Sequence, residues 1–532
     1  MILPKPGHQN KVRLATLLAI SFLLLSQASC KPNRSRDRII VASSGRITSL
    51  DPAQANTFHT LQLISALGDT LYRIDINGDL QPWLAKEKPQ ISDDGLTISI
   101  PLKEGIFFHD GTRFNSEAMA FSIKRFMQIG TLNYVLGGRI SSVEAPDPYL
   151  IRLKLKRPSS SLRGLLTSIN LTPVSPKAYR SHKEKFLNEK FVGTGPYKLQ
   201  SFRNQQQRLV PFPLYWNTYP QNSGIDFISL KNSTSLYGAL LSGEIDVLLS
   251  TSIDEDQRRS LNKIAVEGYL NEGEGSAMEI GYITFRSNVS PLKNIVLRKA
   301  LLHSLGRKQI SKRVSYGLRE PLRALIPPSL KDEKTTPWPS YNPKVAKDLM
   351  KKEGYCYNKK LEIPVTFRSN VPADKLMALT WQAQVKRDLS DCLQLKLNGV
   401  ESTTVYRQLG EGAFEAVILD WRGAYPDPEA YLSPLLSCNK SKGMVCEEGE
   451  AAMSGSFWTE PLLEKKLRQS DELSGTKRRK KLNQIEELAA NGAAYLPVWL
   501  VRPRAWAQTH LAKPEFDRNG HLLMERLRQV KE

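Results

Sequence analysis

A chain of 532 residues is too long to fold around one hydrophobic core, so two or three domains are expected. Hydrophobic residues make up 40% of the chain, which is enough to fill such cores, and the formal net charge is +22 at pH 7. A charge of this size indicates an acidic partner. However, the basic residues are spread along the chain, without a zinc-finger spacing, a P-loop or a Gly-x-Gly-x-x-Gly motif. Diffuse solvated charge is therefore favoured over a nucleic-acid site, and no nucleic-acid partner is expected.

The amino terminus has the pattern of an export signal. Basic residues precede an uncharged apolar run at residues 14–25, which is too short for a bilayer of about 30 Å that needs about 20 helical residues. The Gln-Ala-Ser-Cys sequence ending at Cys30 resembles a bacterial lipobox, except that Gln27 stands where an aliphatic residue is preferred. We expect a signal peptide over residues 1–30, a lipid on Cys30 and a polar tether at residues 31–38, which places the protein in the periplasm or otherwise outside the cytoplasm. The alternative is an ordinary signal peptide that is cleaved nearby.

The amino-terminal part of the mature chain predicts short strands, turns and helices. Residues 39–50 predict a strand, and residues 61–72 predict a helix with one apolar face. Residues 92–127 predict a hairpin around Asp94-Gly95, then a second Asp-Gly turn, then a helix that Ser116 caps. Together these elements predict a compact α+β unit.

The carboxyl-terminal part alternates strands and helices. Residues 361–367 predict a strand and residues 373–389 a long helix, a βα unit typical of a parallel sheet. Residues 417–421 predict another strand, and the loop that follows it at residues 422–428 is where α/β folds place ligand groups. Residues 495–501 predict a buried strand. The fold class expected from these elements is α/β, with an α+β subdomain.

The segment at residues 94–125 also resembles the signature of bacterial extracellular solute-binding protein family 5, the peptide and nickel binding proteins of ABC importers. In this sequence it runs DG-x-T-x-S-x-x-L-K-x-G-I-x-F-H-D-G-T-x-F-N-S-E-x-x-x-F-S-I-K-R. The Gly-Thr-Gly-Pro-Tyr block at residues 193–197 and the block YITFRSN at residues 282–288 are similar to family blocks as well. The resemblance covers most of the mature chain. It implies a two-lobed periplasmic-binding-protein fold of type II (cluster C) with a hinge and three subdomains.

The resemblance also implies how the chain is divided. Residues 39–57, 185–283 and 495–532 would form lobe I, residues 58–184 an α+β subdomain inserted into it, and residues 284–494 lobe II. A ligand held between the lobes would favour the closed form, which docks on a permease.

The cysteines predict disulfide bonds. Four cysteines follow Cys30, and an even number in an exported chain permits two disulfides with three possible pairings. Cys438 and Cys446 flank a short loop that can close on itself, so we prefer this pair, worth about 2–3 kcal/mol in the loop-entropy model. Cys356 with Cys392 is then the remaining pair. A zinc site is the alternative, but no Cys-x-x-Cys and no nearby His supports it.

Catalytic residues do not form a recognisable constellation in the sequence. The seven His are scattered without an i, i+4 pair for a metal. His109-Asp110 lies in a turn and no serine nucleophile motif accompanies it, so a locally bonded His is preferred. We therefore expect no enzyme activity, no metal site and no cofactor.

Candidate ligand contacts cluster in the loop after the strand at residues 417–421. Trp421 and Tyr425 would either stack on a ligand or pack inside the protein. Arg139 would meet either a ligand carboxylate or a carboxylate of the protein. The full set of predicted ligand contacts is Trp421, Arg422, Tyr425, Asp427 and Arg139.

One departure from the family concerns the ligand's amino group. In peptide-binding relatives, as the resemblance implies, an Asp in this loop pairs with the α-amino group of the ligand, and that position falls on Ala424 here. A charge-assisted hydrogen bond is worth about 1.5–3 kcal/mol, so its loss would weaken binding about 10- to 100-fold. Either Asp427 or Glu429 replaces the missing Asp, or the ligand lacks a free amine.

The resemblance implies the substrate-binding component of an ABC importer, which captures peptides or a peptide-like small solute and delivers it to the permease. Its expected partners are the ligand, the permease with its ATPase, and the membrane through a lipid anchor; a monomer is expected. A binding protein for a metal chelate, an opine or a sugar is one alternative. A sensory or chaperone-like receptor without a permease is the other.

Overall fold

The computed structural model describes residues 38–530, apart from residues 56, 76–78, 132, 134–138, 251–252 and 332–335. From Ile39 onward these residues form one compact unit. The expected signal peptide, the lipidation of Cys30 and the tether up to residue 37 lie outside the described residues. Arg38, expected as the last tether residue, is the first residue of a strand.

The strands, numbered in chain order, are β1 Arg38–Ser43, β2 Tyr72–Ile74, β3 Leu80–Pro82, β4 Gln90–Ile91, β5 Thr97–Pro101, β6 Ile140–Asp147, β7 Leu150–Leu155, β8 Tyr197–Arg203, β9 Gln206–Pro211, β10 Gly224–Ser229, β11 Val247–Leu249, β12 Leu270–Glu274, β13 Glu279–Phe285, β14 Glu320–Pro321, β15 Leu361–Arg368, β16 Leu393–Val400, β17 Ala416–Arg422, β18 Lys440–Lys442, β19 Val445–Glu448, β20 Tyr495–Val501 and β21 Arg504–Gln508. The α-helices are α1 Phe58–Leu67, α2 Ser116–Ile129, α3 Leu162–Leu165, α4 Pro176–Tyr179, α5 Ser233–Leu241, α6 Glu255–Val266, α7 Ile295–His303, α8 Arg307–Ser315, α9 Pro343–Lys352, α10 Pro372–Asp388, α11 Ser402–Leu409, α12 Glu429–Leu436, α13 Glu450–Met453, α14 Leu463–Glu472 and α15 Gly475–Gly492. Short 3₁₀ segments occur at Ile169–Leu171, Arg180–His182, Pro328–Leu330 and Met524–Arg526.

The first large sheet has seven strands in the order β12-β21-β11-β1-β10-β9-β8. β1 runs parallel to β11, and β21, near the end of the chain, lies antiparallel to β11. Ile39 and Val41 of β1 belong to the core on one face of this sheet, whereas Ala42 belongs to the core on the other. Because successive strand residues point to opposite faces, this pattern shows that the sheet is covered on both sides, as in α/β folds.

A smaller α+β unit contains the four-stranded sheet β4-β5-β7-β6 and helix α2. Gly95 has the positive φ of 70° that the turn before β5 requires. The predicted cap of α2 is wrong by one residue. The side chain of Asn115 accepts the hydrogen bond from the backbone N–H of Ala118 at 2.9 Å. Ser116 is the first helical residue, and its hydroxyl donates instead to the backbone oxygen of Asp147.

The second large sheet has six strands in the order β14-β20-β13-β17-β15-β16. β15 is parallel to both β16 and β17, and β15 with α10 forms the predicted βα unit. β13 is antiparallel to both β17 and β20. β13 and β20 both belong to this sheet, although residues 279–283 and 495–501 were expected in lobe I. The chain therefore enters this sheet at Glu279 and leaves it after Val501, while the division into lobes stays a prediction.

The structure contains two disulfides, Cys356–Cys392 and Cys438–Cys446, the pairs that the sequence analysis preferred. The second one closes the hairpin β18–β19. Within the described ranges, no helix is both long and apolar enough to cross a membrane. No group of three or more His, Cys, Asp or Glu side chains in the same ranges could hold a metal ion.

Candidate ligand-binding cavity

A cavity of about 700 Å³ is lined by both halves of the compact unit. Phe58 and Leu61 of α1 and the residues around Ile169 line it from one half, and the ends of β13 and β17 with helix α12 line it from the other. A cavity of this size is in the range that small-molecule ligands occupy.

Helix α12 forms one long wall of the cavity. Its lining residues Glu429, Ala430, Ser433 and Pro434, with Ser437 just beyond its end, recur at the spacing of one helix face. From Glu429 to Ser437 the axis advances about 12 Å at 1.5 Å per residue. The cavity is therefore elongated along this helix.

The loop after β17 forms the end of the cavity at the amino terminus of α12. Trp421 lines the cavity, and its Nε1 donates to the backbone oxygen of Ala430 at 2.8 Å, which ties the ring to the first turn of α12. Gly423 is needed here because a Cβ at this position would lie 2.7 Å from the ring of Tyr431. Ala424 is exposed and lines the cavity. The position at which the family resemblance implies an acid in peptide-binding proteins thus lines the cavity, but without a charge.

Arg139 and Tyr425 line the cavity and are both bound to Glu429. The guanidinium of Arg139 donates to one carboxylate oxygen of Glu429 at 2.6 Å, and the hydroxyl of Tyr425 donates to the other. Burial, reinforced by the charge of Glu429, raises the pKa of Tyr425 well above its usual value, so the hydroxyl stays protonated. Arg139 therefore takes part in an ion pair of the protein, and its contact with a ligand stays a prediction.

Asp427 is turned towards the protein. Both of its carboxylate oxygens accept hydrogen bonds from the guanidinium of Arg478, at 2.7 and 2.8 Å, and one also accepts from the backbone N–H of Glu429 at 2.8 Å. Its exposed fraction is 7%. Asp427 thus fixes the start of α12, and these bonds speak against the expectation that it replaces the missing acid at Ala424.

Arg422 connects the end of β17 to the carboxyl-terminal segment. Its guanidinium lies 4.6 Å from the ring centroid of Phe58 and donates to the backbone oxygen of Asn519. Burial lowers the pKa of Arg422, and the charge of Glu279 acts in the opposite direction. All three of these partners line the cavity with Arg422.

Five charged residues line the cavity although they were not among the predicted ligand contacts: Arg157, Glu279, Asp420, Glu450 and Glu464. Glu279 could have been found from the strand pattern, since an antiparallel pairing of β13 with β17 places it opposite Arg422. For Arg157 and Glu450 the sequence offers no such signal, because they lie in connections and short elements.

The lining is richer in acid than the chain as a whole. Among the described residues, five carboxylates and three guanidiniums line the cavity, although the formal net charge of the chain is +22. They are Glu279, Asp420, Glu429, Glu450 and Glu464, with Arg139, Arg157 and Arg422. The positive charge of the chain is therefore not concentrated at this site.

Two smaller cavities adjoin the main one. One of about 650 Å³ shares Ile169 and Asn519 with it. The other, of about 310 Å³, shares a set that includes Glu279, Asp420 and Arg422. Glu279 thus stands between two cavities.

The six-stranded sheet lines one side of a ligand-sized cavity, and helix α1, which shares a core with the seven-stranded sheet, lines the other. This arrangement is that of the two-lobed periplasmic binding proteins. Comparison with known proteins identifies the family. The sequence model of bacterial extracellular solute-binding proteins, family 5 (middle region), matches residues 79–443. The chain belongs to this family.

Relatives of known sequence include the glutathione-binding protein GsiB of Escherichia coli strain K12. The two chains are 27% identical over 354 residues, which span 65% of this chain and 66% of GsiB, just under two thirds of that relative.

Solved structures show the same fold. The dipeptide-binding protein of Pseudoalteromonas sp. SM9913, in complex with Met-Leu, has a TM-score of 0.78 at 21% identity and covers 93% of this chain and 100% of its own. NikA of Brucella suis, in complex with Fe(III)-EDTA, has a TM-score of 0.80 at 20% identity, with coverage of 93% and 100%. These likenesses confirm the predicted two-lobed α/β fold.

Proposed function

We propose that this protein is the substrate-binding component of an ABC importer, which captures a short peptide or a peptide-like solute outside the cytoplasm and delivers it to a permease. The observation that carries the proposal is the elongated cavity of about 700 Å³ between two halves of a family 5 chain. Its partners would be the permease with its ATPase, and it would act as a monomer held to the membrane by the lipid on Cys30.

The length of the cavity sets the size of the ligand. The face of α12 that lines it extends for about 12 Å, and an extended peptide spans about 3.3–3.6 Å per residue. A ligand of about three residues fits this length. The E. coli relative is named a glutathione-binding protein, and glutathione is a solute of this size.

The cavity offers apolar and charged surfaces to such a ligand. Trp421 and Phe58 supply aromatic surface, and Ile169 and Met278 supply apolar surface. Arg157 lines the cavity and has no hydrogen bond or ion pair within the described ranges, so its guanidinium is available for a ligand carboxylate. This combination suits a small zwitterion better than a purely apolar molecule.

Contacts across the cavity support closure of the two lobes on the ligand. The guanidinium of Arg139, from the segment just before β6, binds Glu429 of α12. The hydroxyl of Ser161, from the connection after β7, donates to Asp471 of α14 at 2.6 Å. We propose that these contacts form as the lobes close, and that the closed form is the one that docks on the permease. Lobe I, the inserted subdomain and lobe II would follow the boundaries at residues 57, 184, 283 and 494, shifted to keep β13 and β20 in the six-stranded sheet.

Native mass spectrometry of protein purified without refolding tests the proposal. A small peptide or peptide-like solute that leaves the protein on unfolding is expected, and isothermal titration of the emptied protein with tri-alanine and with glutathione should then show 1:1 binding. A co-purifying metal chelate, opine or sugar would replace the peptide assignment. No bound solute and no titration with any of these would contradict a substrate-binding role.

A further inference from the structure

The carboxylate of Glu279 is the starting point of a more specific inference, which rests on the proposed function. Glu279 is the first residue of β13, and it lines both the main cavity and the cavity of about 310 Å³ beside it. Its side chain is half-buried. Within the described part of the chain, this carboxylate has no hydrogen bond and no ion pair. A carboxylate that is partly removed from water and has no partner is costly, because desolvation of the charge is not compensated.

The nearby guanidiniums are engaged elsewhere. Arg258 and Arg319 approach Glu255 at 3.8 and 2.8 Å. Arg422, directly opposite Glu279 in the ladder of β13 and β17, donates to the backbone of Asn519. None of the three forms an ion pair with Glu279.

The nearest acid is also neutralised. Asp420, the other carboxylate at this end of the cavity, is paired with Arg368 at 2.6 Å. Burial raises the pKa of Glu279, the charge of Asp420 raises it further, and the three arginines lower it less than these two causes raise it. The described residues therefore place three guanidiniums in the surroundings of Glu279, but none of them forms an ion pair with its carboxylate.

A second acceptor without a donor lies next to this position. The side-chain oxygen Oδ1 of Asn519 is buried and has no hydrogen-bond partner, and Asn519 lines the main cavity. Its backbone oxygen accepts the hydrogen bond from Arg422, which places Asn519 beside the end of β17. Unsatisfied buried acceptors are uncommon in folded proteins, and each calls for an explanation.

We propose that the carboxylate of Glu279 accepts a hydrogen bond from the protonated amino group of the ligand. Oδ1 of Asn519 accepts a second hydrogen bond from an N–H at the same end of the ligand. Ala424 lines the cavity two residues beyond Arg422, so the ligand end that would meet an acid at that position lies near Glu279 instead. The ligand is thus a solute with a free ammonium group, and the strand β13 rather than the loop after β17 supplies its counter-charge. A charge-assisted hydrogen bond in a desolvated site discriminates strongly between an ammonium and a neutral amide.

The test compares tri-alanine with N-acetyl tri-alanine by isothermal titration. The wild-type protein should bind the free amine about 10- to 100-fold more tightly than the acetylated peptide, the factor that one charge-assisted hydrogen bond supplies. In the isosteric variant Glu279→Gln this preference should disappear, because the amide cannot supply a counter-charge. Glu447→Gln, on the exposed strand β19, is the matched control and should keep the preference.

If Glu279→Gln folds poorly, the comparison of the two peptides on the wild-type protein still tests the inference, and a double variant adds a rescue experiment where the single variant folds. In the double variant Glu279→Gln/Ala424→Asp, the new carboxylate stands at the same end of the cavity, and the preference for the free amine should return. The inference is overturned if the wild-type protein binds both peptides equally, or if Glu279→Gln weakens both by the same factor. Failure of every peptide to bind would overturn the proposed function together with it, whereas equal binding of both peptides leaves the proposed function intact.

Discussion

At the scale of single residues, the ring of Trp421 offers the most direct test of the cavity. Its Nε1 is bonded to the backbone of Ala430, so the orientation of the ring is fixed before a ligand arrives. Burial of an aromatic ring against a ligand contributes about 1.5–3 kcal/mol. Trp421→Ala is therefore expected to weaken tri-alanine binding about 10- to 100-fold in isothermal titration, with a small change in melting temperature because the side chain is only half-buried.

Trp216→Ala is the matched control for Trp421→Ala. Trp216 is also half-buried, its Nε1 donates to Asp69 at 3.1 Å, and it is not one of the residues that line the main cavity. This variant should bind the peptide as the wild-type protein does. Unchanged affinity in Trp421→Ala would remove Trp421 from the ligand site.

The side chain of Arg139 is expected to contribute more to the free energy of unfolding than to ligand binding. Its removal leaves the buried carboxylate of Glu429 with the hydroxyl of Tyr425 as its side-chain hydrogen-bond partner among the described residues. Breaking a buried ion pair from one side costs about 3–5 kcal/mol, and the side chains of Arg139 and Glu429 are only 10% and 7% exposed. Arg139→Ala should therefore lower the free energy of unfolding in urea by about this amount.

Arg152→Ala provides the comparison for Arg139→Ala. Arg152 approaches Glu144 at 3.9 Å in a pair whose side chains are 37% and 35% exposed. A surface pair of this kind contributes about 0–1 kcal/mol. If Arg139→Ala costs no more than Arg152→Ala but loses the ligand, Arg139 belongs to the ligand contacts instead.

At the scale of secondary-structure elements, the sequence predicted those strands and helices that short-range sequence patterns determine. The strand at residues 361–367 and the helix at residues 373–389 correspond to β15 and α10, because apolar periodicity and the flanking turn residues determine both. The cap of α2 was missed by one residue because Asn115 and Ser116 are both good caps, and only the backbone geometry selects between them.

The sequence could not predict which site residues are bound to side chains that lie far away in the sequence. Asp427 looked available for a ligand, but its partner Arg478 lies 51 residues away, on a helix that packs against this loop only in the fold. The Gly-Thr-Gly-Pro-Tyr block at residues 193–197 contacts the ring of His109, whose Nε2 lies 3.1 Å from the oxygen of Gly195. Burial lowers the pKa of His109 to about 4, so this ring is neutral near pH 7.

Removal of the two disulfides is expected to lower the free energy of unfolding by different amounts. Cys438–Cys446 spans 8 residues and Cys356–Cys392 spans 36. In the loop-entropy model their removal costs about 2–3 and about 3–4 kcal/mol, respectively. Urea unfolding of Cys438→Ser/Cys446→Ser should therefore show the smaller loss, and hydrogen exchange should rise in β18 and β19 but not in β15. A larger loss from the hairpin pair than from the long-range pair would contradict the loop-entropy account.

At the scale of the whole molecule, Asp471 connects α14 to the segment after β7 and forms an ion pair with Arg139 at 3.6 Å. Its carboxylate accepts hydrogen bonds from the backbone N–H and the hydroxyl of Ser161, at 3.0 and 2.6 Å, and from the hydroxyl of Ser159 at 3.0 Å. Ser159 and Ser161 follow β7 of the small sheet, whereas Asp471 belongs to α14, which packs against α12 and α15. In the proposed closed form, this contact is stabilising only while the carboxylate is ionised.

The pKa of Asp471 determines the pH range over which this contact acts. Burial alone would raise the pKa, but the charge of Arg139 and the hydrogen bonds from Ser161 and Ser159 outweigh burial, so the pKa lies below the usual 3.8. Because the folded-state pKa is below the unfolded-state pKa, the stabilisation is fully present above pH 3.8 and is lost as the pH falls through the folded-state pKa.

Small-angle scattering of the ligand-bound protein can measure this effect. The radius of gyration of the wild-type protein should stay constant from pH 7 down to about pH 4 and rise below it, because protonation of Asp471 releases the ion pair with Arg139 and weakens the bonds from Ser161. Asp471→Asn removes the charge at every pH, so this variant should already be expanded at pH 7. Glu472→Gln, the next residue of α14, should behave as the wild-type protein does. If Asp471→Asn is as compact as the wild-type protein at pH 7, the closed form depends on the ligand contacts rather than on Asp471.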